Sequence, residues 1–355
     1  MNRIIVHDVD TPRVVFGRGA LGRATPEINR LGANRVLLIS TRSSASSAES
    51  VVDSLGDQLV ARIDEVAMHV PAEVAESALR TAEKAAADLL VCIGGGSAIG
   101  LGKAVAQQTG IAILAIPTTY AGSEMTSIWG RTEGGRKATG RDDRVLPRTV
   151  IYDPDLTVGL SARQSGSSGM NAAAHCVEAL YAPDATPVTT LLAVQGLQLL
   201  ARALPLIAVD PSNLQARTDA LHGAWYSGWV LGATTMGLHH KLCHVLGGGY
   251  DLPHSAVHSA VLPYVTAWNA SGDPAAVSQI AYALESADAA GGLWDLAHRA
   301  GAPTSLTDVG FDSADIDAVA TVVAASPPVN PGPVSPQAVR EVLLASCTGI
   351  RPSRD

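Results

Sequence analysis

Five of the ten histidines in this 355-residue chain fall within HHKLCHVLGGGYDLPHSAVH, residues 239–258. At neutral pH an imidazole can ligate a metal, pass a proton, or sit buried and uncharged. Spacing narrows the choice. His240 and His244 are four residues apart, so on a helix they share a face. His254 follows ten residues later, after three glycines, in Pro253-His254, a helix-start signal. The earlier segment GMNAAAHCVEALYA sets Asn171 and His175 four residues apart as well. Two helices and a loop can therefore unite Asn171, His175, His240 and His254, and this set is expected to be functional. His239 is expected to point away from His240, and His258 to be only a neighbour on the next helix turn. A metal site of this design wants three imidazoles and one carboxylate. Asn171, a neutral amide, stands in the carboxylate's place, so no metal is expected.

A second chemistry lies nearer the N-terminus. In VCIGGGSAIGLGKAVA (91–106) an apolar run ends in Gly94-Gly95-Gly96-Ser97 and a helical pattern follows. Glycines let a diphosphate approach the backbone, and a helix N-terminus offers unpaired N–H groups. Lys103, six residues past Ser97, is expected only to solvate the helix. The next apolar run ends AIPTTYAGSEMTS, placing Thr118, Thr119 and Ser123 at a second strand end. The two loops together are read as a dinucleotide cradle. GRGALG (17–22) also fits G-x-G-x-x-G, but the strand after it ends Ser40-Thr41-Arg42 with no carboxylate for a ribose. It is read as a turn leading into a helix.

These loops need a scaffold. RVLLIS (35–40), DLLVCIGGG (88–96), AILAIPTT (112–119) and TVIYDP (149–154) read as strands, separated by helical stretches such as residues 72–87. That alternation implies a parallel sheet covered on both faces. After about residue 158 β-rich runs vanish. MNAAAHCVEALYA, TTLLAVQGLQLLARAL, DALHGAWYSGWVLGATTMGLHHKLCHVL and AVSQIAYALESAD read as helices. The expected organisation is an α/β dinucleotide-binding domain over 1–158 and an all-helical catalytic domain over 159–355, with SARQSGSSG (161–169) as a hinge. Apolar residues make up 47% and charged residues 16%, and the net charge is −8 with no basic run, which argues against a nucleic-acid partner. No stretch of 18 apolar residues is seen, so no membrane partner is expected. Four scattered cysteines without a CxxC pair fit a reducing cytoplasm.

At these motifs the chain resembles the iron-containing (group III) alcohol dehydrogenase superfamily, and within it the maleylacetate reductases. The resemblance rests on VVFGRGALG, IGGGSAIGLGKAVA, IPTTYAGSEMT, GRKATGRDDRVLPRTVIYDPDLT, SGMNAAAHCVEALYAPDATPV and HHKLCHVLGGGYDLPH. It implies the dehydroquinate synthase-like fold and a nicotinamide cofactor, NADH or NADPH, contacted by Gly95, Gly96, Ser97, Thr118, Thr119, Ser123 and Lys137. The metal ligands of the metal-dependent relatives fall on Asn171, His175, His240 and His254, and asparagine at the first position is usual in the maleylacetate branch. His244 falls near the nicotinamide and is expected as acid or electrophile, with His175, His240 and His254 as donors around the substrate. Asn171 and Tyr120 are expected on the substrate side. Thr41 and Arg42, where some relatives carry an NAD-selecting aspartate, leave NADPH possible.

The implied reaction reduces the conjugated double bond of maleylacetate to 3-oxoadipate, in a cytoplasmic homodimer. Two places depart from the family's pattern: Pro328, Val329 and Gly332 replace an aromatic pair and an arginine, and Ala98 and Ile99 stand where threonines are frequent. Alternatives left open are a related enone or ketone reductase, a metal-dependent alcohol dehydrogenase, and a non-redox member.

Overall fold

The computed structural model describes residues 5–67, 70–133 and 136–353, with the side chains of 132–137 excepted. Contacts divide it into two units, one of Asp10–Gly159 and one of Leu160–Asp355 joined by the described N-terminal residues up to Val9. Those N-terminal residues, assigned by sequence to the α/β domain, pack with the helices. His7 stacks on Trp229 with ring centroids 5.7 Å apart.

In the α/β unit the strands are β1 (Arg13–Phe16), β2 (Val36–Ser40), β3 (Leu59–Ile63), β4 (Leu89–Gly94), β5 (Ala112–Pro117), β6 (Ile128–Glu133), β7 (Arg136–Arg141) and β8 (Thr149–Tyr152). Six form a parallel sheet in the order β1-β8-β5-β4-β2-β3, and β6 and β7 pair as a separate antiparallel hairpin. The expected strands are all present. Central strands β2 and β4 are buried at every position, as the continuous apolar runs require. The helices are α1 (Ala24–Arg30), α2 (Ala45–Leu55), α3 (Ala72–Lys84) and α4 (Gly96–Thr109). One sheet face packs Leu38, Val91, Ile93 and Leu114 against Ile28 of α1 and Val51 and Leu55 of α2. On α4, Gly102 lies so close to Cys92 that a Cβ there would sit 2.3 Å from its Sγ. The chain runs outward from β2 to β3, then returns to β4 on the other side, so the order reverses between β2 and β4. The carboxyl ends of those strands form the switch point where such sheets take ligands.

The helical unit contains α5 (Ala162–Leu180), α6 (Pro187–Val209), α7 (Leu214–Ala233), α8 (Leu238–Gly249), α9 (His254–Asn269), α10 (Pro274–Ala283), α11 (Ala289–Arg299), α12 (Ile316–Ala324) and α13 (Pro336–Thr348). No strand occurs in it among the described residues. The expected hinge at 161–169 is instead the start of α5. Ser161 and Gln164 make a reciprocal capping box, and the glycines serve packing. A Cβ on Gly166 would meet the Ala300 carbonyl oxygen at 2.2 Å, and one on Gly169 would meet Leu204 at 2.3 Å. α5 is buried from Ser165 to Leu180, which makes it the axis of the unit. α6 is long and apolar enough by length and mean composition to cross a membrane, although Thr, Gln and Arg interrupt its apolar run. It buries Ala193, Gly196, Leu197, Leu200 and Leu204, and packs on α5 and α7.

The apolar stretch read as one helix over 219–246 breaks at 234–237 into α7 and α8. A Cβ on Gly237 would meet Asn330 Oδ1 at 3.0 Å and Glu178 Oε1 at 3.1 Å. The break is what lets a buried carboxylate reach the first turn of α8.

Candidate active site

Within the helical unit α5, α8 and α9 bring six imidazoles together. His175 lies 5.1 Å from His240 between ring centroids, and His240 lies 4.8 Å from His258 and 6.2 Å from His244. His254 is 4.5 Å from His258 and stacks on His244 at 6.0 Å. His239 is 4.8 Å from His258. The cluster is layered: His244 and His254 are half-buried, His175 and His240 are buried, and His239 and His258 are fully buried. Asn171 is buried one helix turn before His175 on α5. The predicted set is therefore assembled as its spacing implied.

Three members were not expected. His258 is four residues past His254 and shares its face of α9. Glu178 stands three residues past His175 on α5, so the same periodicity points to it. His239 does not point away: it makes an edge contact with His240, with centroids 5.5 Å apart. Both neighbours sit in the buried first turn of α8.

Glu178 is the organising charge. It is fully buried, and its Oε1 accepts the backbone N–H groups of Gly237 and His239, each at 3.1 Å. Its Oε2 accepts the N–H of His240 at 3.3 Å and also bonds His240 Nδ1. One carboxylate thus satisfies donors that the start of α8 leaves open, favoured by the helix dipole, and fixes an imidazole. With Nδ1 committed, His240 Nε2 is left buried without a hydrogen-bond partner, as is His175 Nδ1. Those two nitrogens are available to a ligand.

Burial, with the nearby His240 adding to it, holds the His175 imidazole well below its ordinary pKa. Burial first and neighbouring imidazoles second do the same for His239 and His258. All three are neutral in the fold at neutral pH, whereas the unfolded chain protonates them below about pH 6.5. The unfolded state then binds more protons, so stability is full above that pH and lost as pH falls, by up to about 1.4 kcal/mol per pH unit for each group. The melting temperature is expected to drop steadily from about pH 7 to pH 5. A flat melting profile over that range would contradict neutral burial.

The α/β unit carries the second half of the chemistry. Gly94 (φ 150°) ends β4, and α4 begins at Gly96 with no side chain capping it. A Cβ on Gly94 would meet Thr41 at 3.0 Å, and one on Gly95 would meet Thr119 at 3.0 Å. Thr119 Oγ1 is buried without a hydrogen-bond partner. Thr41 and Ser44 hydroxyls lie 3.0 Å apart, and Ser44 and Thr118 hydroxyls 3.4 Å. Glycine backbone, an uncapped helix N-terminus, half-buried Ser97 and an unmet hydroxyl fit a dinucleotide diphosphate. Ala98 and Ile99 are fully buried, so those departures change packing and not the cradle's rim. Tyr120 is also fully buried. Lys137 lies on β7, with its side chain outside the described residues.

Lys103 is not a solvated surface residue. It is 1% exposed, and its Nζ donates to the carbonyls of Ser123, Thr126 and Ile128, each at 2.7 Å, and lies 3.0 Å from Thr126 Oγ1. Burial pushes its pKa down to about 7, opposed chiefly by the Glu124 carboxylate. It holds the turn that presents Ser123. The GRGALG loop, by contrast, is closed to phosphate by the protein itself: Asp153 accepts the N–H groups of Gly19 at 3.1 Å and Leu21 at 2.9 Å. Beyond β3, Asp64 accepts from Ser40 Oγ at 2.6 Å.

Two family models account for most of the chain: iron-containing alcohol dehydrogenase over residues 11–154, and the C-terminal region of the Fe-containing alcohol dehydrogenase family over 166–347. The chain belongs to the iron-containing alcohol dehydrogenase family. Family members similar to it include a maleylacetate reductase of Burkholderia cepacia, 49% identical with 96% of this chain and 97% of that protein covered. One from Sphingobium indicum is 44% identical with 98% of each covered. Among solved family structures, a putative alcohol dehydrogenase from Ralstonia eutropha JMP134 aligns with a TM-score of 0.97 at 47% identity, covering 99% of this chain and all of that one. The maleylacetate reductase of Agrobacterium tumefaciens aligns with a TM-score of 0.94 at 43% identity, with the same coverage.

The family name implies iron, and the residues at the relatives' ligand positions fit it poorly. Asn171 supplies no charge. His254 Nε2 is engaged with His258 Nε2 at 3.2 Å. Glu178 is engaged by backbone N–H groups and His240. His239, His240 and His258 offer ligand atoms within 4.8 Å of one another, but His239 Nε2 and His258 Nδ1 are already hydrogen-bonded at 2.9 Å.

Proposed function

We propose that the protein reduces the conjugated carbon–carbon double bond of maleylacetate to give 3-oxoadipate, with NADH or NADPH and without a metal. The observation that carries this reading is the imidazole cluster anchored by Glu178, with a neutral amide where a cation would need its anionic ligand. Curated relatives at 43–49% identity over nearly the full length, all maleylacetate reductases, support the substrate.

When bound at the glycine cradle, the reduced nicotinamide supplies hydride. The carbon that receives it is β to the substrate ketone, and the displaced electron pair moves onto the ketone oxygen as an enolate. A proton then goes to the carbon next to the ketone. The protein's task is to stabilise that oxygen and supply that proton. His240 is built for it. A proton held at Nε2 gives a donor whose positive charge Glu178 balances. His175, kept neutral, is a second hydrogen-bonding group beside it. His244 and His254 are the half-buried members of the cluster. Asn171 contributes an amide to the substrate side.

In this reading the enzyme is a cytoplasmic homodimer acting on a small keto dicarboxylate. Four free cysteines support the reducing compartment. The test is to mix the purified protein, maleylacetate and either NADH or NADPH, and follow loss of reduced-cofactor absorbance. Consumption with formation of 3-oxoadipate is expected. No consumption with either cofactor would refute the assignment.

A further inference from the structure

On α8 the residues left half-buried are Lys241, His244, Val245 and Gly248. At about 3.6 residues per turn they fall on one arc of the helix. Val245 leans on the apolar core and Gly248 has no side chain, so Lys241 and His244 supply the polar groups of that arc. They are three residues apart, with Cβ atoms about 5–6 Å from each other. His244 in turn stands 6.2 Å from His240 and 6.0 Å from His254 between ring centroids. The lysine therefore borders the imidazole cluster on its half-buried side.

The fold itself makes no use of this cation. Lys241 Nζ has no hydrogen bond or ion pair among the described residues, and it is not sealed from solvent. The other charged groups of the three helices that carry the cluster are engaged or remote. Glu178 is held by backbone N–H groups and His240. Arg163 stands eight residues before Asn171, at the exposed start of α5, and α9 has no lysine or arginine. Maleylacetate carries two carboxylates, one on the carbon that receives hydride and one on the methylene beyond the ketone. A cluster whose fixed charge is a carboxylate repels such an anion, and an ammonium beside it offsets that repulsion.

We propose that Lys241 is the carboxylate anchor of the site: its ammonium pairs with one carboxylate of the substrate and selects dicarboxylates over uncharged enones. Gripping one end limits the poses in which the conjugated ketone meets the imidazoles. The identity of the substrate rests on the reductase reading, and the preference for an anion does not.

The test compares two saturated six-carbon compounds of similar shape, the dianion adipate and its neutral counterpart adipamide. Binding of each is measured by calorimetry, and KM for maleylacetate is measured beside it. The parent is expected to bind adipate more tightly than adipamide. Lys241→Met keeps the stem and removes the charge. It should weaken adipate about 10- to 100-fold and change adipamide less than about twofold. KM for maleylacetate should rise by a factor similar to that for adipate, with KM for reduced cofactor within about twofold of the parent. Lys241→Arg keeps the charge and should hold adipate within about fivefold of the parent. If the Met variant does not fold, Lys241→Gln makes the same comparison. A parent without preference for adipate, equal weakening of both compounds, or adipate binding unmoved by loss of the charge would overturn the proposal. An adipate preference that depends on Lys241, in a parent that does not turn over maleylacetate, would refute the reductase reading and leave the anchor standing.

Discussion

Replacing Glu178 by glutamine is expected to lower kcat about 100-fold while leaving the fold intact. The change is nearly isosteric, so the effect is chemical. Oε1 accepts two backbone N–H groups, whereas Oε2 accepts one and also bonds the His240 ring. A glutamine will keep its oxygen where two backbone N–H groups need an acceptor and put its NH₂ beside the His240 ring. That NH₂ donates to His240 Nδ1, which must then be a lone pair, so the proton of neutral His240 moves to Nε2. The charge that balanced a protonated His240 is also gone. The N–H of His240 loses its acceptor, at a cost of about 1–3 kcal/mol. Circular dichroism and melting should show a folded, modestly weakened protein, and KM for reduced cofactor should stay within about twofold. A kcat within about threefold of the parent would show that Glu178 is only a helix cap.

The second large effect is expected from Lys103→Met, and it is one of stability. The ammonium is ringed by three carbonyls and a hydroxyl in the α/β unit, with the buried Glu124 carboxyl nearby. Tyr152 donates to Glu124 Oε1 at 2.7 Å, while Oε2 is buried without a hydrogen-bond partner. Methionine matches the stem's length but leaves buried oxygens without a donor. Breaking a buried charge from one side costs about 3–5 kcal/mol. The melting temperature should fall by roughly 10 °C, and the loosened Ser123 turn should raise KM for reduced cofactor severalfold. A melting temperature within about 2 °C of the parent would contradict a structural role for the cation.

Periodicity served well where one residue type repeated on one face. The four apolar runs gave four strands of the sheet, and i,i+4 spacing placed Asn171 with His175 and His240 with His244. It failed where tertiary contacts override local pattern. The apolar run through residue 246 reads as one helix because nothing local reveals that Glu178, far away in sequence, caps a break at Gly237. Ser-Gly-Ser-Ser-Gly reads as a hinge because small polar residues favour loops, yet its glycines allow α5 to touch Ala300 and Leu204. Lys103 looks solvated because lysine usually is, and only the fold shows the carbonyls that ring it. Glu178, three residues past His175, and His258, four past His254, lie on the faces that the same spacing rule defines. The pattern wants a carboxylate at the position of Asn171, whereas Glu178 lies two helix turns further on and is hydrogen-bonded to the protein.

The loop at 328–333 shows the same limit. Asn330 exchanges hydrogen bonds with Asn269 and accepts from the N–H of Leu238 at the start of α8. A Cβ on Gly332 would meet Trp268 at 2.7 Å. The loop therefore braces the end of α9 and the start of α8, while Val329 is exposed.

The claim that imidazoles and Glu178 serve where relatives use a cation is tested most directly by one assay. Protein is stripped with a strong chelator, its metal content is measured, and maleylacetate-dependent oxidation of NADH or NADPH is followed before and after. The account predicts undiminished turnover with metal far below one ion per chain. Loss of turnover on stripping, restored by stoichiometric iron or zinc, would contradict it.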